Sequence, residues 1–287
     1  MQSDIIKKQL RKNAWVDVPC HNDVMNILME QRASDTYYKR GSNEATRDLN
    51  LVESNHRKWV SEIIDLSEFS YCYFVNGATD AIHTWLLTED REYQYISGDY
   101  EYPNSIKKGT EIDHAYFIDP DKVLYISNPS AYDGNFKDIE VSCPVILDCT
   151  YVSSTAIQRI DVPTNTEQVF FSFSKGFGLI GQRLGLVYTK KPHPTLDLLK
   201  QFENWNYSGV KTIELVMKNF AVDEMWNKHK EKQIEICNDY NFTVSDCFFL
   251  ATTRDLFYRR RRRMRWNDDA RICITSLINS NGEENDR

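Results

Sequence analysis

The sequence predicts an α/β protein: a three-layer αβα large domain built on a mainly parallel mixed sheet, joined to a smaller α+β domain. Three observations predict it. Short apolar runs rich in aromatic and β-branched residues recur between residues 71 and 173, separated by helical or loop stretches, as expected of strands covered on both faces. The chain has 287 residues, of which 41% are hydrophobic and 13% aromatic, enough for a sizeable core divided between a large domain and a small one. After Pro192 and Pro194 the pattern changes to a long helical stretch followed by strand-like segments.

Taken in order, residues 1–35 read as a helical, partly apolar arm, with Val24, Ile27 and Leu28 at helix spacing, and Leu49 to Ile64 gives a second amphipathic helix. The strand runs follow: YCYFV (71–75), YQYIS (93–97), VLYIS (123–127), PVILD (144–148) and VFFSF (169–173). A further strand, LGLVYT (184–189), returns after a glycine-rich loop. A helical stretch from about Leu196 to Cys237 precedes the strand-like FTVSDCFFLATT and ARICIT (270–275). The expected division is 1–45 as an N-terminal arm and part of the small domain, 46–192 as the large domain, and 193–287 as an interdomain helix and C-terminal small domain. No internal repeat is visible, and RRRRRMR (259–265) is the one low-complexity element.

A net charge of −7, from 35 basic and 42 acidic side chains, argues against a surface built throughout for nucleic acid or anionic membrane, while leaving room for local basic patches. The N-terminus MQSDIIKKQLRKNAW carries charges throughout in place of an apolar core, so no signal peptide is expected. No run approaches the roughly 20 apolar residues of a membrane span, and a cytoplasmic protein is expected. The seven cysteines contain no C-x-x-C pair and fit neither a disulfide framework nor a zinc knuckle; they read as small buried hydrophobes, and no metal site is expected.

In open α/β sheets ligands sit beyond the carboxyl ends of the strands, and three of the runs end there in polar groups. NGATDAI (76–82) follows a strand and opens a helix, so free backbone N–H groups and the helix dipole can hold a phosphate; a strand-to-helix turn containing glycine is also common without one. VILDCTY places Asp148 at the end of an apolar strand, where a carboxylate is costly unless it meets a cation such as a pyridinium nitrogen; a helix-capping or salt-bridged aspartate is the other reading. Lys175 follows 27 residues later, at the end of the next long apolar run. There it is either a surface charge ending a strand or an amine whose lost hydration favours the neutral, nucleophilic form. Taken together, an aspartate for a ring nitrogen and a lysine for an aldehyde are the two protein groups that pyridoxal 5'-phosphate demands.

SFSKGFGLIGQRLG (172–185) resembles the Schiff-base segment of fold type I pyridoxal-phosphate enzymes, the aspartate aminotransferase superfamily, whose pattern runs S-x-S-K, a glycine-containing loop, then R-x-G. The resemblance implies that Lys175 carries the cofactor as a Schiff base and that Ser172, Ser174 and Arg183 hold its phosphate. LDCTY is similar to the family's D-x-x-Y, which implies Asp148 on the pyridine nitrogen and Tyr151 on the phenolic oxygen. NGATDAI resembles the phosphate turn and implies Gly77, Ala78 and Thr79 as cofactor-binding residues, with Gly77 and Ala78 offering backbone N–H groups. YEYPNS (100–105) resembles the segment whose aromatic stacks on the ring, which favours Tyr102 over Tyr100. ARICI is similar to the strand whose arginine grips the substrate α-carboxylate, assigning Arg271, and a planar guanidinium suits that bidentate task. NPSAYDG (128–134) resembles N-P-x-N-P-x-G, implying Asn128 at the cofactor, but carries Ala131 and Tyr132 where the second N-P belongs.

The resemblance implies an aminotransferase acting on an amino acid and a keto acid. Lyases and decarboxylases share these motifs and stay open, as does a non-catalytic regulator that binds nucleic acid through the Arg259 to Arg263 run. That run reads either as a solvated basic edge or as a lining of the substrate entrance. SDTYYKRGSNEATRDL resembles the segment that supplies a tyrosine to the partner's cofactor, so a homodimer with shared active sites is implied, with Tyr38 favoured over Tyr37. A chain this short would leave the pocket open on one side, and a two-fold partner is the commonest way to close it.

Overall fold

Seven short segments pair into one sheet: β1 (Tyr71–Val75), β2 (Tyr93–Ile96), β3 (Thr110–Ile112), β4 (Val123–Ser127), β5 (Val145–Asp148), β6 (Thr166–Ser172) and β7 (Gly185–Thr189). The computed structural model describes residues 5–8, 10, 18–32, 44–113, 118–258 and 269–279. The spatial order is β1-β7-β6-β5-β4-β2-β3, with β7 antiparallel to both its neighbours and every other pairing parallel. β3, only three residues long with Thr110 and Glu111 exposed, is a short edge strand whose sequence TEI carries no apolar run to announce it.

Strand alternation divides the core in two. Tyr73, Val75, Tyr125, Ile146, Phe170 and Val187 face one side and pack with Ala81, Ile82 and Trp85 of α3 (Ala78–Thr88). Cys72, Phe74, Leu124, Leu147, Phe171 and Leu186 face the other side, in one cluster with Leu49 and Val52 of α2 (Glu44–Trp59) and Val210 and Ile213 of α6 (Tyr207–Asn219). β4, β5 and β7 are buried at every residue. Each buried Phe or Leu in these layers contributes about 1.5–3 kcal/mol relative to exposure.

α1 (Asn22–Arg32) buries Val24 and Leu28, while Ile27 is half-buried. α2 starts before Leu49 and ends at Trp59, short of the expected Ile64: Val60, Ile63 and Ile64 keep their apolar spacing in a turn, where Ile63 and Ile64 both bond back to Val60, and Ile64 then bridges Ile160. α4 (Tyr102–Ile106) is a single short segment after β2. The expected helix from Leu196 to Cys237 is three helices: α5 (Pro194–Gln201), α6 and α7 (Glu224–Tyr240). The breaks have local causes. Glu203 takes a left-handed φ of 52°, and Asn206 caps α6 by accepting the Gly209 N–H at 3.0 Å. His193 caps α5 through Leu196 N–H at 3.3 Å, with Pro194 in the first turn.

β8 (Thr243–Val244), β9 (Leu250–Thr253) and β10 (Ala270–Cys273) form a separate antiparallel sheet in the order β10-β9-β8, followed by α8 (Thr275–Asn279). FTVSDCFFLATT is therefore two strands with a turn between them. Six of the seven free cysteines are buried, and Cys20 is half-buried. Among the described residues no helix is long and apolar enough to cross a membrane, and no group of His, Cys, Asp and Glu forms a metal-binding cluster. Tyr37, Tyr38 and the Arg259 to Arg263 run lie outside the described residues.

Candidate active site

The carboxyl ends of β4, β5 and β6 and the turn after β1 converge on one pocket, lined by Ala78, Thr79, Tyr100, Ser127, Asp148, Tyr151, Ser172, Ser174, Lys175, Arg183 and Arg271 among others. The register pairs Ser127 with Asp148, so the two strand ends sit side by side.

Asp148 is 3% exposed. Its Oδ1 accepts from the Thr150 amide at 2.9 Å and from the Thr150 hydroxyl, and its Oδ2 accepts from the Tyr125 hydroxyl at 2.6 Å. All three donors are neutral. Burial pushes its carboxyl pKa up, while the Thr150 and Tyr125 hydrogen bonds oppose the rise. A buried carboxylate held by neutral donors suits a cationic partner placed in the pocket.

Gly77 closes the turn after β1 at φ 81°, ψ 172°, a conformation only glycine adopts readily. A Cβ there would lie 3.1 Å from Arg183 Nη2, so the guanidinium rests against bare backbone. Arg183 itself has a left-handed φ of 55°. Among the described residues α3 has no side-chain cap, and the N–H groups of Ala78 and Thr79 in its first turn have no intrahelical acceptor. A guanidinium beside an uncapped helix N-terminus is an anion cradle. Ser174 joins it: its hydroxyl is buried and meets no hydrogen-bond partner among the described residues, while its N–H bonds Ser172 Oγ at 3.2 Å.

Lys175 lies in the loop between β6 and β7, and that loop is clamped on two sides. A Cβ on Gly176 would come within 2.2 Å of the Ser153 carbonyl oxygen, and one on Gly178 within 2.1 Å of the Pro19 carbonyl oxygen. The residues before α1 are thereby pressed against the lysine loop. His21, two residues beyond Pro19, stacks on His229 of α7 with ring centroids 4.6 Å apart, and its Nδ1 lies 3.3 Å from His229 Nε2. Tyr151 is held edge-on against Phe249, with ring centroids 5.4 Å apart. Arg271, on β10, reaches across from the small sheet and donates from Nη1 to the Ala131 carbonyl, while the Tyr132 hydroxyl donates to the Asp269 carbonyl at 3.1 Å. The two residues that depart from the N-P-x-N-P-x-G pattern thus dock the loop onto the small sheet.

No protein-family model matches the chain, and a search of curated protein sequences found no match. Solved structures match over nearly its whole length. A probable N-succinyldiaminopimelate aminotransferase from Thermus thermophilus superposes with a TM-score of 0.67 at 15% identity, covering 96% of this chain and 95% of that one. A PLP-bound C-S lyase from Staphylococcus hominis gives 0.64 at 13%, covering 94% and 88%, and an L-threonine-O-3-phosphate decarboxylase from Porphyromonas gingivalis gives 0.61 at 13%, covering 95% and 98%. The chain has the fold of fold type I pyridoxal-phosphate enzymes.

Within this fold type I scaffold two sequence expectations land elsewhere. Tyr102 does not line the pocket: its hydroxyl meets His83 Nε2 at 2.6 Å and its ring stacks on His83. Tyr100 takes the pocket position, and its N–H is accepted by Asp99 Oδ1 at 2.7 Å. Asn128 also stays out of the lining. Its amide is spent on the backbone of Lys137, donating to the carbonyl at 2.8 Å and accepting the N–H at 3.0 Å. Three residues went unnoticed in the sequence: Ser127, whose buried hydroxyl meets no partner among the described residues, Thr150, and Tyr125. Strand alternation places Tyr125 on the same face as Ser127, but nothing in the sequence says that its phenol meets Asp148.

Proposed function

We propose that this chain is a pyridoxal-phosphate-dependent enzyme that transfers an amino group between an amino acid and a keto acid. The observation that carries the cofactor assignment is the meeting, in one pocket, of the Lys175 amine, a buried Asp148 held by neutral donors, and the Gly77–Arg183 cradle at an uncapped helix end. The orphaned hydroxyls of Ser127 and Ser174 fit a polar ligand in the same place.

When bound, pyridoxal phosphate supplies an electron sink for negative charge at the substrate α-carbon. Lys175 Nζ would hold the cofactor covalently, and its amine would take and return the proton at that carbon. Asp148 would hold a proton on the ring nitrogen, Tyr151 would donate to the phenolic oxygen, and Tyr100 would lie against the ring. Arg183, Ser172, Ser174 and the N–H groups of Gly77, Ala78 and Thr79 bind the phosphate. Arg271 orients the substrate by its carboxylate.

Transamination is the finer reading, supported by the aminotransferase among the fold neighbours; the lyase and decarboxylase there make it the part to test first. Purified protein should be yellow, and borohydride should fix the cofactor to Lys175 in a peptide map. A label on any other lysine overturns the site. Amino donors screened for conversion of the bound cofactor to its pyridoxamine form then test the reaction, and turnover without any keto acid acceptor would identify a lyase or decarboxylase. A homodimer belongs to the same proposal. Sedimentation should show it, and mixing Lys175→Ala with Tyr38→Phe subunits should restore part of the activity if one subunit's tyrosine serves the other's site.

A further inference from the structure

Tyr125 is fully buried in β4. Its ring stacks on Trp85 at 5.8 Å and 13°, and Trp85 stands edge-on to Tyr93 at 5.4 Å and 74°. For packing alone a phenylalanine would serve, and it would avoid desolvating a hydroxyl. The hydroxyl has one visible use, the 2.6 Å bond to Asp148 Oδ2, in the short range of an O–H···O⁻ contact. Tyr125 and Asp148 lie on adjacent strands and project from the same sheet face, since Tyr125 pairs with Ile146 and Ser127 with Asp148. Thr150 occupies the other carboxylate oxygen, so the pair of residues holds Asp148 from both sides.

We propose that Tyr125 is a positioning residue for the candidate site: its phenol anchors Oδ2 of Asp148, keeping that carboxylate ionised and aimed at the place a cofactor ring nitrogen would take. The inference rests on the proposed function for the nitrogen, but not for the Tyr125–Asp148 contact itself. Burial and the neighbouring Asp148 and Asp99 push the Tyr125 pKa well up, so the phenol keeps its proton and donates throughout the working range. Asp99, 1% exposed and committed to the N–H groups of Ser127 and Tyr100, acts with burial to raise Asp148. Cys149 is the titratable neighbour on its own segment. Lys175, Arg183, Arg271, Tyr151 and Tyr100 line the same pocket as Asp148. Against that set, Tyr125 and Thr150 are the donors that lower Asp148.

The test is a carboxyl-carbon NMR titration of Asp148 in the whole chain stripped of cofactor, its resonance assigned by its loss in Asp148→Asn. In Tyr125→Phe the midpoint should rise by about one pH unit or more, a tenfold change in the protonation equilibrium. Thr150→Val should move it the same way. Tyr93→Phe is the control: it removes a buried hydroxyl from the same aromatic stack, one that bonds the Lys107 carbonyl at 2.7 Å, and should leave the midpoint in place. An unmoved midpoint in Tyr125→Phe, or an equal rise in Tyr93→Phe, overturns the proposal. Pyridoxal phosphate affinity by absorbance should then fall in Tyr125→Phe, most strongly at pH below the variant's midpoint, where Asp148 is protonated. If wild-type protein binds no pyridoxal phosphate while the midpoints shift as expected, the proposed function fails and the Tyr125–Asp148 coupling stands.

Discussion

Asp148 has opposed effects on stability and on chemistry. A carboxyl whose folded pKa is raised contributes stability that is present at low pH and lost as pH rises, so ionised Asp148 costs the cofactor-free protein stability at neutral pH. Asp148→Asn should therefore gain on wild type in melting temperature as pH rises above the unfolded carboxyl value of about 3.9, measured without cofactor, while turnover falls at least about tenfold because an amide cannot hold a pyridinium proton. If turnover survives, another residue serves the ring nitrogen. At Arg271 the expected signature is different: Arg271→Lys keeps the charge and loses the fork, so KM for amino acids should rise about tenfold or more with the cofactor spectrum unchanged. Asp148 and Lys175 could be picked out because each is a charged residue at the end of an apolar run, where such placement is costly without a partner, and Arg183 through the resemblance of the segment that follows Lys175. Tyr125 could not, since a tyrosine inside a strand is ordinary packing until its hydroxyl's neighbour is known.

The turn between β1 and α3 is the element on which the proposed phosphate cradle depends. Gly77 combines a φ of 81° with a Cβ position 3.1 Å from Arg183. Gly77→Ala should cost about 1–3 kcal/mol of stability and displace the guanidinium, so phosphate affinity and melting temperature should fall together; loss of stability with unchanged affinity would detach Arg183 from the cradle. Most strands of the large sheet were legible because each is a continuous apolar run, buried on both faces. β3 was not, because an edge strand of three residues needs no apolar pattern. The helices after Pro194 were legible in type but not in number: Asn206 as a cap and Glu203 in a left-handed turn break an amphipathic pattern without glycine or proline to mark the place. Tyr102 opens α4 and meets His83 while Tyr100 lines the pocket, a difference that sequence spacing does not encode.

For the molecule as a whole, four histidines sit where burial keeps them neutral: His56 is pushed down to about 3, His21 and His229 to about 4, and His193 in the same direction. A histidine with a depressed folded pKa contributes stability that is present above its unfolded value near 6.5 and is lost as pH falls. His56 alone, fully buried between Tyr188 and Phe171, should lower stability by about 1.4 kcal/mol per pH unit between 6.5 and about 3. Urea unfolding at about pH 7, 5.5 and 4 measures it, and His56→Gln should flatten the slope; an unchanged slope would place the acid sensitivity elsewhere. The half-buried Cys20 adjoins the Gly178 loop behind Lys175, and the other six thiols are sealed in the interior. Modification by a thiol reagent should accordingly run on two clocks. One equivalent reacts at the rate at which residues 18–21 lift from the lysine loop, and six follow only as fast as the whole chain opens. The ratio of the two rates reads, without any substrate, how firmly the lysine loop is held shut.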